Sequence, residues 1–168
     1  MQNKITFLCI IFLLLGCNPF APELIESGQQ SAIITDQKTP DEVLTNFRYA
    51  YIFKDSLIYS DVLDSSFIFI SKNYSSTPPT DINWGRDIDI KTTVGLFNHF
   101  NVLELNWGSQ PEPELDSTSY EYVLKTTFQL TLDGGREIPT IKGEAWFTFK
   151  RNQSNVWKIS RWEDLSSF

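Results

Sequence analysis

The 168-residue chain predicts an α+β protein in which N-terminal helices pack on a curved antiparallel sheet. Three observations carry the prediction. A capped amphipathic helix opens at Thr39. Apolar and polar residues alternate from Tyr120 to Leu132, the clearest period in the chain. A turn and a second alternating run, Glu137 to Arg151, follow at once. Helices come first and a long meander last, an order that lays helices on one face of a sheet.

The domain does not begin at Met1. Ile5 to Leu15 is an apolar run preceded by one charge at Lys4. It has the length of a signal-peptide core and is shorter than the roughly 20 residues a membrane-spanning helix needs. Pro19 and Pro22 stop any helical continuation. The run ends in Leu14-Leu15-Gly16-Cys17. These residues resemble the lipobox of bacterial lipoproteins. That resemblance implies cleavage after residue 16, a diacylglyceryl group on the Cys17 sulfur and an acylated new N-terminus. Two or more acyl chains anchor a protein stably. In that family an aspartate after the cysteine signals inner-membrane retention. Asn18 stands there instead, which favours the periplasmic side of an outer membrane. Cys9 leaves with the signal and Cys17 carries lipid, so neither of the two cysteines remains for a disulfide. Residues 17–38 read as the lipidated cysteine and a tether, with SAIIT (31–35) as a candidate strand or staple.

The domain is expected over residues 39–168. Thr39 and Glu42 have capping-box spacing, and Pro40 suits the first helical position. Val43, Phe47, Ala50 and Tyr51 form one helical face. Asp55 caps a second, short helix, and Ser65 to Ser71 is a strand. The prolines of STPPTD make a loop. A third helix is expected from Trp84 to Phe100, weakened by Gly95 and its threonines. Its Asp87 and Asp89 read as exposed first-turn acids, and Asp61 and Asp64 as solvated turn residues. Asn101 to Trp107 is a strand, and GSQPEPELDS (108–117) an acidic loop.

In the long strands Tyr120, Tyr122, Leu124, Thr126 and Phe128 point inward with Ala145, Phe147 and Phe149. Trp146 points outward beside Glu144 and Thr148. DGGR (133–136) is a tight hairpin signal, and Pro139 fits an edge or bulge. The last strand, Val156 to Leu165, closes the sheet. The order of elements, and the ending GEAWFTFKRNQSNVWKISRWED, resemble the nuclear transport factor 2-like fold shared with ketosteroid isomerase, scytalone dehydratase and the polyketide cyclases. The resemblance implies a cone-shaped cavity between helices and sheet.

Neither inward-facing strand carries a carboxylate or an imidazole, and proton abstraction needs a base within reach of the substrate. No catalytic residue is therefore assigned. One histidine and no spare thiol leave no metal cluster, and no cofactor motif is present. A net charge of −7 disfavours nucleic acid, because phosphate contacts need clustered Lys and Arg. Tyr51, Trp84, His99, Tyr122 and Trp162 are the candidate ligand-binding residues, suited to a flat or apolar molecule. Trp146 is a candidate interface anchor, since the resemblance implies dimerisation on the outer sheet face. The favoured expectation is a lipid-anchored, non-catalytic module of the cell envelope. It would bind a small apolar ligand or an envelope protein. An isomerase, dehydratase or cyclase, and a structural dimer, are the alternatives.

Overall fold

The computed structural model describes residues 34–109, 120–135, 137, 138 and 140–166. Residues 1–33, with the expected leader, Cys17 and the expected tether up to that point, lie outside the described residues, as do most of the acidic loop and Pro139.

Among the described residues three helices and six strands follow one another. They are α1 (Pro40–Phe53), α2 (Ser56–Val62), β1 (Leu63–Asn73), β2 (Thr80–Gly85), α3 (Arg86–His99), β3 (Leu103–Trp107), β4 (Glu121–Leu132), β5 (Ile141–Arg151) and β6 (Trp157–Asp164). The sheet order is β2-β1-β6-β5-β4-β3. β1 and β6 run parallel, and every other neighbouring pair is antiparallel. The α+β expectation is met.

Local chemistry sets the helix ends. The Thr39 hydroxyl accepts from the Glu42 amide at 3.3 Å. Glu42 returns its carboxylate to the Lys38 amide, one residue outside the usual box. Lys54 adopts a left-handed φ of 53° and returns its N–H to the last turn of α1. Asp55 Oδ1 accepts from the amides of Leu57 and Ile58. Before α1, the Thr35 amide donates to Asn46 Oδ1 at 2.8 Å. The Trp157 amide donates to the Gln37 carbonyl.

Three sequence expectations change. Residues 80–85 form a strand, and α3 starts at Arg86 rather than Trp84. The strand lies at the sheet edge and is exposed at most positions, so it carries no alternating apolar signal. β6 extends the sheet from within, inserted between β1 and β5. DGG opens the connection of the antiparallel β4–β5 hairpin, which is longer than the tight turn expected. Asp133–Gly135 form a tight turn of left-handed residues. Gly134 and Gly135 hold φ of 74° and 70° there, a region that favours glycine. Asp133 Oδ1 accepts from the amides of Asn101 and Val102, tying this turn to the start of β3.

The sheet's inner face and the helices enclose one core. Phe147, Phe149, Ala145 and Ile159 are fully buried in it. The alternation in β4 and β5 holds, except that Tyr120 precedes β4 and is 66% exposed, with Arg151 over its ring. Gly143 allows the tightest approach. A Cβ there would overlap Ser166 Oγ and lie 2.8 Å from Phe128 Cε1. Gly143→Ala is therefore expected to cost about 1–3 kcal/mol by overpacking, read from the urea midpoint. A cost below about 0.5 kcal/mol would mean that Phe128 and Ser166 shift freely.

Candidate functional site

Five side chains from four elements meet under the helices. α1 supplies Tyr51, α2 Tyr59, β2 Trp84, and α3 Asp89 and Thr93. Asp89 Oδ2 accepts from the Tyr59 hydroxyl at 2.5 Å, and Oδ1 accepts from Trp84 Nε1 at 2.8 Å. The carboxylate is only 4% exposed. The exposed first-turn placement expected for Asp89 is thus corrected. With α3 starting at Arg86, Asp87 is exposed, whereas Asp89, Thr93 and Phe97 recur at i, i+4 and i+8 and face inward. That stripe was readable in the sequence, but its aspartate reads more simply as a helix-dipole acid. Asp61 is also engaged, pairing with Lys158 Nζ at 2.7 Å and accepting from Gln37 Nε2 at 2.6 Å.

Burial pushes the Asp89 carboxyl above its ordinary value, and the Tyr59 and Trp84 donors offset part of that. Burial also raises Tyr51 and Tyr59. The Asp89 charge adds to both shifts. Both phenols therefore stay protonated, and Tyr59 donates to Asp89.

Tyr51, Trp84 and Trp162, three of the five candidate ligand residues, join one aromatic cluster. Phe69 stacks on Trp84 at 4.3 Å and meets Trp162 edge-on at 5.0 Å. Phe47 lies 5.2 Å from Tyr51 and 5.7 Å from Trp162. These rings occupy the inside of the cone. Trp162 Nε1 is buried there with no hydrogen-bond partner among the described residues. Tyr122 stands apart on β4, half-buried and tilted against Phe149 at 6.3 Å. Burial and the charge of Asp41 raise its phenol. His99 is exposed at the end of α3, edge-on to Phe100 at 4.7 Å. It does not reach the cluster.

On the opposite sheet face Trp146 is 41% exposed and shares a shallow concavity with Ile68 and Val123. Lys125 Nζ sits 5.6 Å from its ring centre and pairs with Glu144 at 2.7 Å. Among the described residues no group of three or more His, Cys, Asp and Glu is arranged to hold a metal, and no helix is long and apolar enough to cross a membrane.

No protein-family model matches the sequence, and no curated protein matches it. Solved structures do. A candidate scytalone dehydratase from Novosphingobium aromaticivorans superposes with a TM-score of 0.60 at 14% identity, covering 84% of this chain and 87% of that one. A candidate aromatic ring hydroxylase from the same species gives 0.55 at 13% identity, over 79% and 90% of the two chains. A cystatin-like-fold protein from Nostoc punctiforme gives 0.53 at 7% identity, over 74% and 85%. At such identities the likeness is one of fold. Helices laid on a six-stranded curved sheet give this chain the α+β fold of the nuclear transport factor 2-like and cystatin-like proteins.

Proposed function

We propose that the protein is a lipid-anchored, non-catalytic binding module of the cell envelope. Lipid on Cys17 holds it to a membrane, with the outer membrane's periplasmic side favoured by Asn18. The domain takes a small apolar ligand among its cone aromatics or an envelope protein on its surface. One observation supports the binding reading above others: each oxygen of the buried carboxylate already accepts from the protein itself, Tyr59 on one and Trp84 on the other. A general base must have an oxygen facing the substrate proton. Three hydrophobic rings around an unpaired Trp162 Nε1 suit a flat ligand with a hydrogen-bond acceptor.

Two observations favour other readings. The raised carboxyl of Asp89 beside two phenols favours an isomerase- or dehydratase-type enzyme. The exposed Trp146 favours a dimer through the outer sheet face. Intact and native mass spectrometry of the whole protein, extracted from its membrane in mild detergent, separates them. A covalent acyl-glyceride mass is expected, lost in Cys17→Ser, together with a monomer carrying a small non-covalent mass. An unmodified Cys17 overturns the anchor. A bare dimer, dissociated by Trp146→Ala, replaces the ligand reading with the structural one. Turnover of the co-purified molecule, abolished in Asp89→Asn, replaces it with the enzymatic one.

A further inference from the structure

The sheet ends in β2 on one side and in β3 on the other. The two edges differ. α1 lies along β3, where Arg48 Nε donates to the Leu105 carbonyl at 2.9 Å and Trp107 Nε1 to the Leu44 carbonyl at 3.1 Å. Nothing comparable covers β2. Among the described residues no side chain donates to a β2 carbonyl, and none accepts from an amide between Asp81 and Gly85. The register on β1 runs from Gly85 to Thr80 without a bulge, and the strand holds no proline and no lysine. Bulges, prolines and lysines are the devices by which natural edge strands resist pairing. β1 takes one side of the β2 backbone, so the other side presents a row of N–H and C=O groups open to a further strand.

The side chains are equally open. Alternation puts Thr80, Ile82 and Trp84 on one face, and Asp81 and Asn83 on the other. Trp84 stacks on Phe69 at 4.3 Å, which marks the first face as the inner one. Ile82 is 42% exposed. The Asp81 carboxylate is paired with Lys72 of β1. The exposed Asn83 carboxamide has no partner among the described residues.

We infer that β2 pairs antiparallel with the β2 of a second copy, about a two-fold axis at Ile82, and joins two sheets edge to edge. Elementary geometry sets the register. Residues whose backbone groups face a partner alternate along an edge. Two identical strands therefore pair only with some residue opposite its own copy. Centring on Asp81 would set two carboxylates against each other, which is destabilising. Centring on Asn83 would leave Asp81 opposite Gly85 and run Thr80 against Arg86, where α3 has already begun. Centring on Ile82 engages Thr80 through Trp84. It lays Ile82 against Ile82 and Thr80 beside Trp84. It also sets the Asp81 carboxylate opposite the second copy's Asn83 amide, a donor, and symmetry repeats that match. The strand is thus complementary to itself in backbone, charge and apolar contact. Such an interface is shorter than a standard one, so the dimer is weak, with a Kd of about 100 µM. Well below that concentration the protein is a monomer. The inference rests neither on the lipid anchor nor on a ligand in the cone.

The test is sedimentation equilibrium of the full-length protein in density-matched detergent with micelles in excess, over about 10 µM to about 1 mM, a range that brackets the expected constant. A monomer–dimer equilibrium is expected, unchanged in Trp146→Ala. Ile82→Lys sets two ammonium groups opposite each other and should weaken the dimer at least tenfold. Asn83→Asp sets an acid opposite Asp81 and should weaken it severalfold. Adding Asp81→Asn to that variant exchanges the two residues, restores the acid–amide match and should recover the wild-type constant. All three positions are exposed, so the variants keep the fold. Absence of a dimer at the top of the range overturns the inference. So does a dimer that Trp146→Ala dissociates, or one that neither Ile82→Lys nor Asn83→Asp weakens. An exchanged variant no tighter than Asn83→Asp overturns the register.

Discussion

Phe47→Ala will destabilise the domain by about 3–5 kcal/mol, the range for emptying a fully packed aromatic site. Phe47 is 1% exposed and its ring meets five others. Tyr51 lies on its own helix and Tyr59 on α2. Trp107, Phe147 and Trp162 come from three strands. The ring thus joins α1, α2 and the sheet at one point. Its neighbours are large and mutually wedged, so they cannot collapse into the space, and the cavity cost adds to the lost transfer energy. Urea unfolding followed by tryptophan fluorescence measures the loss. Phe47→Leu should recover more than half of it. A cost under about 1.5 kcal/mol for the alanine variant would mean that the cone interior is loosely filled, and would strengthen the case for a ligand cavity there.

Asp89→Ala is expected to cost about 2–4 kcal/mol, for a different reason. Truncation leaves the Tyr59 hydroxyl and Trp84 Nε1 as buried donors without an acceptor, and each orphaned group carries its own desolvation penalty. Asp89→Asn should cost less, because its carbonyl still accepts from one donor. The pair also separates in pH. Burial raises the carboxyl above its ordinary value of 3.8, so in the window above that value the folded chain holds a proton that the unfolded chain has released. The stability contributed by this group is complete below 3.8 and falls as pH rises through the raised value. Asp89→Asn removes that slope. Asp61 and Asp64 act in the opposite sense. Burial alone would raise them, but Lys158 and Gln37 at Asp61, and Ser66 at Asp64, pull both below the usual carboxylate range. Their stabilisation is present above 3.8 and is lost as pH falls through the lowered values. A stability profile whose acid limb is unchanged in Asp89→Asn, with a smaller decline above 3.8, is the expected result. An identical profile in wild type and variant would show that Asp89 does not titrate differently in the folded chain.

The sheet was legible where one face is buried and the other wet. In β4, Leu124, Thr126, Phe128 and Leu132 are buried and alternate with exposed Glu121, Val123, Lys125, Thr127 and Gln129. β5 behaves in the same way. Both helix caps were legible because they are set by residues one to three positions away. β2 was not, since an edge strand exposed on both faces has no hydrophobic period to read. The candidate site was half legible. Tyr51, Trp84 and Trp162 are large aromatics on inward faces and do converge, whereas Tyr122 and His99 do not reach them. The aspartate at the centre of the polar cluster was misplaced. An acid early in a helix has two homes, the solvated first turn and the buried stripe, and neighbouring residues do not choose between them.

The sequence by itself determined the α+β class, the limits of α1 and α2, the faces of β4 and β5 and the outward position of Trp146. All of these follow from interactions within one element or between adjacent ones. Only the tertiary structure decided that β6 lies parallel to β1 in the middle of the sheet, pairing Phe69 with Trp162. It alone set Tyr59, Trp84 and Asp89 within hydrogen-bonding distance, and it alone laid Arg48 along the edge of β3. Each of these depends on how a helix is rotated against the sheet. That rotation is set by the summed packing of Phe47 and its neighbours from across the chain, and no local stretch of sequence contains it.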